Sequence, residues 1–212
     1  MKSVFIVGAG GFGRELLAWC MHHPSHGWDW QICGFIDDNP AALKDYDLPI
    51  GITSSLSAYA PRVNDELICA IGQPALKRDV VKGLKARGAC FRSYVHPTVI
   101  QGVRIELGEG VVLCPGVVLT CDVKLGDFVM FNCGASAGHD VRVGDYSTIS
   151  GHCDLTGFVT VGEEVFMGSG ARVIPSRKIG NRATVGAGST VIMNVVAGST
   201  VMGVPAKPVA GF

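Results

Sequence analysis

The chain carries no excess of either charge. Its 212 residues hold 18 Lys and Arg against 18 Asp and Glu, so the charge balance favours neither nucleic acid nor an anionic membrane as partner. No apolar run approaches the ~20 residues of a membrane span. The opening MKSVFIVGAGG is too briefly apolar for a signal peptide, with no small-residue cleavage site behind it, so the expected compartment is the cytoplasm. The eight cysteines, Cys20, Cys33, Cys69, Cys90, Cys114, Cys121, Cys133 and Cys153, include no C-x-x-C pair. That removes the usual zinc and dithiol motifs and leaves small thiols kept reduced. Charged residues are scarce at 17%, whereas hydrophobic residues make up 48%, so a sizeable core is possible.

Glycine is what the chain has in excess, with 29 residues. Given the aliphatic content, this means frequent turning rather than disorder, and internal repeats are the first thing to seek. Every sixth residue from Leu107 to Val191 is apolar, through Leu113, Leu119, Leu125, Phe131, Ala137 and onward. In a chain about half apolar, fifteen such residues in register have odds on the order of 10⁻⁵ by chance. Four residues after each stands a second, usually small position, from Val111 to Val195, with Arg177 out of character. Gly108, Gly126, Gly144, Gly162 and Gly180 add a period of 18. Three hexads per turn predict short strands stacked into a three-sided parallel coil, with these glycines at one corner for positive φ or close approach.

These repeats, together with GVPAKPV at Gly203–Val209, resemble the hexapeptide-repeat acyltransferases over roughly residues 95–206. The resemblance implies a left-handed parallel β-helix; general crossover handedness would have predicted the opposite hand.

With the first and fifth residues of each hexad pointing in, the third points out. One outward column reads Glu109, Asp127, Asp145, Glu163, Asn181, most simply a solvated face. Cys133, Gly151, Ser169, Ala187 and Cys121, His139, Gly157, Pro175 form two columns almost bare of long side chains. A bare face suits packing against another subunit, a groove for an extended ligand, or both. The resemblance implies both: a homotrimer with the pantetheine arm of acetyl-CoA along the seam. Backbone groups beside Gly157, Ser169 and Ala187 would then bond the arm's amides.

His139 projects from a bare column beside Asp140. An imidazole with an ordinary pKa of about 6.5 can take a proton near neutrality, and a carboxylate can orient it. Adjacent strand residues point apart, so the pair needs a corner between hexads. His152, with Asp154 nearby, is the rival base. Asn132 could hold a substrate hydroxyl or carbonyl.

The N-terminal region has a different pattern. A strand-like VFIV meets G-x-G-x-x-G at Gly8, Gly10 and Gly13, followed by a helix-like run, which is a phosphate-cradling turn at a helix N-terminus. QICGFIDD is a second strand, and Asp37 falls 24 residues after Gly13, near the place of a ribose-binding acid. ELICAIG reads as a third strand, QPALKRDVVKGLKARG as a helix, and ACFRSYV as a fourth strand leading into the coil. Alternating β and α elements imply a small parallel sheet. About 90 residues are too few for both halves of a dinucleotide fold. The expected organisation is an α/β half-Rossmann-like domain at 1–94 and the β-helix with a C-terminal tail at 95–212. His22, His23 and His26 in MHHPSHGW suggest a solvated helix end, and no metal is expected.

The combination resembles bacterial sugar acetyltransferases of the sialic-acid O-acetyltransferase and nucleotide-amino-sugar N-acetyltransferase type, over essentially the whole chain. The resemblance implies that Gly10, Gly11 and Phe12 approach a diphosphate. It places Asp37, Asp38 and Gly72 around the nucleoside. His139 is then the general base, Asp140 its acidic neighbour and Asn132 the sugar contact. Many relatives carry histidine at the place of Phe12, a departure that leaves one polar contact to be supplied elsewhere. The expected reaction is transfer of acetyl from acetyl-CoA to the amine of a nucleotide-linked amino sugar, in bacterial glycan synthesis. A sugar hydroxyl as acceptor, a nucleotide-binding oxidoreductase and a non-catalytic scaffold remain as alternatives.

Overall fold

The computed structural model describes residues 2–22 and 29–209. They form two compact units: residues 2–72 with 76–93, and residues 73–75 with 94–209.

In the first unit, β1 (Lys2–Val7), α1 (Gly11–His22), β2 (Trp30–Ile36), β3 (Ile52–Ser54), β4 (Asp65–Cys69) and α2 (Pro74–Lys85) follow in order. The strands form one parallel sheet in the order β3-β2-β1-β4. Val4, Ile6, Leu16, Leu17, Phe35, Ile68, Val81 and Leu84 are buried. Strand order reverses between β1 and β4, and in open parallel sheets the crevice beyond such a switch point is where ligands bind. One strand was unforeseen here, and one local expectation fails. The three-residue β3 is too short to show a period in the sequence. The anticipated strand ACFRSYV is a single bridge, Phe91 to Leu67, after which Tyr94–Val95 already pairs with Val112–Leu113 of the coil.

The coil follows the hexads. Its inward first and fifth positions are buried almost without exception, from Val111 and Leu113 to Val191. Each fully buried aliphatic side chain contributes about 1.5–3 kcal/mol. Arg177 departs from the pattern: its guanidinium turns back to donate to the Pro175 carbonyl. Three parallel sheets result. Sheet I holds Glu106–Leu107, Lys124–Leu125, Arg142–Val143, Thr160–Val161 and Lys178–Ile179. Sheet II runs from Tyr94–Val95 through Met130–Phe131 and Thr148–Ile149 to Thr200–Met202, with Lys207–Pro208 added antiparallel. Sheet III runs from Ile100–Val103 through Val118–Cys121, Ser136–Ala137 and Asp154–Leu155 to Thr190–Val191.

The third-position columns therefore lie at corners between sheets rather than on faces, because the chain turns there. Positive φ falls on the fourth residue, as at Asp122 (58°), Asp140 (62°), Tyr146 (59°), His152 (58°), Phe158 (60°) and Gly170 (72°). Such a conformation costs a non-glycine residue about 1–2 kcal/mol. From Asp122 onward it is held by the same bond: the fourth residue's N–H donates to the third residue's carbonyl one coil back, whereas Gly116 N donates to Thr98 Oγ1. Examples are Asp140 to Cys121 (3.1 Å), Phe158 to His139 (2.9 Å) and Gly188 to Ser169 (2.8 Å).

The 18-period glycines do not take positive φ; close approach is their reason. A Cβ at Gly108 would stand 2.5 Å from Asp127 Oδ1, and one at Gly144 would stand 2.7 Å from the Gly162 carbonyl carbon. The Glu109–Asn181 column is likewise more than a solvated face. Asp127 Oδ1 accepts from Glu109 N (2.8 Å), Asp145 Oδ1 from Asp127 N (2.9 Å), and Asn181 Oδ1 from Glu163 N (3.2 Å). The side chain of one coil caps the third-position N–H of the coil before it, and the missing Cβ makes room for it. Among the described residues no helix is long and apolar enough to cross a membrane.

Candidate active site

The corner bonding leaves one backbone donor over in each turn. The third residue's carbonyl is taken, but its N–H has no backbone partner. Between sheets I and II, the acid ladder caps several of these donors. At the other two corners Asn132 Oδ1 caps Cys133 N, whereas the N–H groups of His139, Gly151, Gly157, Ser169 and Ala187 have no partner among the described residues. Unpaired donors beside minimal side chains can bind the carbonyl groups of an extended ligand. Ser169 and Ala187 are exposed, whereas Gly157 is buried.

Gly157 is buried because the His139 imidazole lies over it. A Cβ there would overlap Nε2 and stand 2.5 Å from Cε1. The ring also meets Phe158 edge-on, with centroids 4.9 Å apart. Because Asp140 takes positive φ, its carboxylate swings back to His139, and Oδ2 lies 3.0 Å from Nδ1. The corner that the pair requires is therefore present. With Nδ1–H donated to Asp140, Nε2 is the basic nitrogen, and the His139 side chain is 54% exposed. Gly157 has no positive φ, so alanine suits its backbone but not the imidazole. Gly157→Ala should leave the melting temperature within a few degrees of wild type and lower kcat at least tenfold. An unchanged kcat would mean that the imidazole need not rest there.

His152 lies on the corner between sheets II and III, over Gly134, whose Cβ would stand 2.7 Å from Nδ1. Among the described residues it has no carboxylate partner: Asp154 Oδ1 instead accepts from Ser136 Oγ at 2.8 Å. Asn132 is on that same corner. Its Oδ1 accepts from Cys133 N (2.6 Å), which leaves the amide NH₂ to donate outward. One chain thus groups His139, Asp140, Gly157 and Phe158 on one corner, and Asn132, Ser169 and Ala187 on another, with the strands of sheet III between them.

In the N-terminal unit, Gly8 takes φ +102°, and a Cβ at Gly13 would overlap the Gly8 carbonyl oxygen. Gly10, Gly11 and Gly72 stand open: a Cβ would meet nothing within 4 Å at Gly10 and Gly72, and at Gly11 only Arg14 Nη2 at 3.9 Å. A Cβ on Gly8 would lie 3.3 Å from the Ala70 carbonyl, so the loop after β1 and the loop after β4 meet at the switch point. Asp37 binds the loop itself, its Oδ2 accepting from Ala9 N (2.7 Å) and its Oδ1 from Asn39 N (2.8 Å). Asp38 Oδ1 accepts from Leu56 N (2.8 Å). Phe12 packs edge-on against Trp19, centroids 6.2 Å apart. The cation beside the loop is Arg14, whose guanidinium lies 3.6 Å above the Tyr46 ring. Arg14 was not among the residues singled out from the sequence; its place three residues after Gly11, on the first turn of α1, was the available signal. Among the described residues no three His, Cys, Asp or Glu side chains are grouped to hold a metal, and His23 and His26 lie outside those residues.

Residues 3–84 match the PglD N-terminal domain family. PerB from Caulobacter crescentus, solved in complex with CoA and GDP-perosamine, is 29% identical, covering 99% of this chain and 98% of its own, with a TM-score of 0.87. WeeI from Acinetobacter baumannii is 27% identical over 99% and 100%, TM-score 0.86. The acetyltransferase domain of PglB from Neisseria gonorrhoeae, in complex with acetyl coenzyme A, is 25% identical over 98% and 99%, TM-score 0.86. A serine acetyltransferase from Buchnera aphidicola is 30% identical over 125 residues, and the match spans only 39% of its length. The N-terminal unit thus matches the PglD N-terminal domain, and over its full length the chain is similar in fold to acetyltransferases solved with acetyl coenzyme A or with CoA and GDP-perosamine.

Proposed function

We propose that the chain transfers the acetyl group of acetyl-CoA to the amine of a nucleotide-linked amino sugar, with His139 as general base. The observation that carries this reading is the imidazole on its glycine platform, joined to Asp140, together with the unpaired Ser169 and Ala187 donors on the corner across sheet III. Nε2 takes the proton that the amine sheds as it attacks the thioester carbon; the C–S bond then breaks, and CoA leaves as the thiol when that proton passes to its sulfur. Asp140 holds the ring in the required tautomer and stabilises its cation. The free N–H groups of Ser169 and Ala187 suit the amides of a pantetheine arm, while Asn132 donates to the sugar. Full-length likeness to a protein solved with CoA and GDP-perosamine favours the amine over the hydroxyl.

In the nucleotide-sugar domain, Gly10 and Gly11 leave room for a diphosphate at the N-terminus of α1. Gly72 and Asp38 border the nucleoside. Asp37 shapes the loop through Ala9, and Arg14 supplies the polar contact that Phe12 cannot.

The split of the site between two corners leads us to a trimer in which the His139 corner of one chain faces the Asn132–Ser169–Ala187 corner of the next. Ser169→Trp should then raise KM for acetyl-CoA at least tenfold without unfolding the coil, because the position faces out. Chains carrying His139→Ala and chains carrying Ser169→Trp, each nearly inactive, should regain activity when co-assembled, since some seams then pair an intact His139 with an intact Ser169. Absence of recovery in verified mixed oligomers would place both residues in one chain's site. The substrate class is tested by CoA-thiol release with amino sugars linked to GDP, UDP or dTDP, against the matching hydroxyl sugars. Release with the hydroxyl sugars alone would overturn the amine.

A further inference from the structure

The corner that carries His139 continues toward the N-terminus of the coil as a charged stack. Its fourth positions are Arg104, Asp122, Asp140 and Phe158, with φ of 56°, 58°, 62° and 60°. They repeat every 18 residues in register, as Val103 pairs with Cys121 across sheet III and Asp140 N bonds the Cys121 carbonyl. Neighbouring coils are about 4.8 Å apart, so Asp122 stacks beneath Asp140. Two carboxylates at that spacing repel, and either could serve the imidazole above Cys121.

Arg104 resolves that competition. Its Nε lies 2.5 Å from Asp122 Oδ1 and its Nη2 2.7 Å from Oδ2, a two-pronged pair that occupies both oxygens of Asp122. We propose that the Arg104–Asp122 pair is a positioning device for the base: it neutralises and turns away the lower carboxylate, so that Asp140 alone holds and charges the His139 imidazole. The inference rests on His139 being the base named above. The Arg104 hydrogen bond, opposed by burial, keeps the Asp122 carboxyl below its usual range, with the Arg104 charge, a Cys121 hydrogen bond and His139 acting in the same downward direction. Arg104 is pushed the other way, chiefly by Asp122, and feels Asp140.

The remaining groups around the ring are few. The coil above presents Gly157 and Phe158 and the next one Ser176, none of which titrates near neutrality, and the coil below adds the Cys121 thiol. Flanking strands carry Asp154 and Arg172 on sheet III, and Lys124 and Arg142 on sheet I. Asp154 is already bonded to Ser136, and Lys124 is paired with Glu106.

The direction of each shift follows from charge alone. Arg104→Gln frees a second anion beside the imidazole. That stabilises the cation, so the basic form emerges at higher pH. Asp122→Asn leaves Arg104 unpaired, and its charge opposes the cation, so the basic form emerges at lower pH. The double variant restores neutrality and should return close to wild type, as should Arg104→Lys, which keeps the charge.

The experiment is a histidine-ring NMR titration of the full chain, with His139 assigned by comparison with His139→Asn, run beside pH profiles of kcat/KM. Shifts of roughly half a pH unit or more are expected, upward in Arg104→Gln and downward in Asp122→Asn, with cancellation in the double variant. A pair that merely braced the corner would lower thermal stability or kcat in all variants alike and leave the His139 titration in place; that result, or shifts of one sign in both single variants, overturns the proposal. If the NMR midpoint moves as expected while the kcat/KM limb stays still, the pair is upheld and His139 is not the base.

Discussion

Replacing His139 with alanine should lower kcat by a factor on the order of 10²–10⁴, the range expected when a positioned general base is lost. The substitution removes Nε2, the nitrogen left basic once Nδ1 is tied to Asp140 at 3.0 Å. It removes nothing from the coil's core, because the ring lies outside on Gly157. Acetyl-CoA binding, read by calorimetry, should therefore survive. The acidic limb of kcat/KM that belongs to the base should vanish, leaving only the ionisation of the acceptor amine. Asp140→Asn should cost less, since the ring remains but loses its orientation and charge partner. His152→Ala should be mild: its imidazole has no carboxylate, and its corner is the one that carries Asn132. If His152→Ala proves the more damaging of the two and His139→Ala keeps near-wild-type turnover, the base has been misassigned by one corner.

The second large effect belongs to the other unit. Gly13→Ala should abolish measurable binding of the nucleotide sugar while leaving acetyl-CoA binding near wild type. A methyl group at position 13 would overlap the Gly8 carbonyl oxygen and stand 3.1 Å from the Gly8 carbonyl carbon. These are backbone atoms, and no side chain can turn aside to relieve the overlap. Either α1 moves off β1 or the loop opens, and both displace the Ala9 N–H from Asp37 and the open stretch at Gly10 and Gly11. Backbone strain of this kind typically costs 1–3 kcal/mol or more, enough to lower the melting of the N-terminal unit as well. Gly10→Ala is the control: a Cβ there meets nothing within 4 Å, so the fold should hold and only ligand approach should suffer. Equal nucleotide-sugar affinities in Gly13→Ala and wild type would show that this turn does not form the site.

The coil was legible because burial selects side chains at fixed positions: Leu113, Leu119 and Leu125 point in whatever lies between them. The turns were less so. Positive φ falls on the fourth residue, yet Asp122, Phe128, Tyr146 and His152 sit there alongside glycines, because a bond to the coil below holds them in place. That bond links residues 19 apart, and no local pattern reports it. The unpaired N–H groups were hidden for the same reason. Whether Ser169 N has a partner depends on what stands 18 residues away, just as Asp127 N has Asp145. Treating the third-position columns as faces also concealed that Asn132 and His139 occupy different corners. The pairing of His139 with Asp140 was readable from adjacency plus a turn, whereas the role of Gly157 as a resting place for the ring needed coordinates. In the N-terminal unit, the glycine spacing announced the turn after β1, but β3 was too short to show a period. Asp37 stood where a ribose acid was expected, yet both of its oxygens hold backbone N–H groups.

The most direct measurement is the structure of the product. Purified full-length chain, acetyl-CoA and a panel of nucleotide-linked amino sugars should be incubated and resolved by mass spectrometry, with fragmentation to locate any added acetyl group. The expected product carries one acetyl group per sugar, on the amine nitrogen, formed by wild type and all but absent with His139→Ala. Acetyl found on a ring hydroxyl with the amine left free, or equal product from His139→Ala, would contradict this expectation.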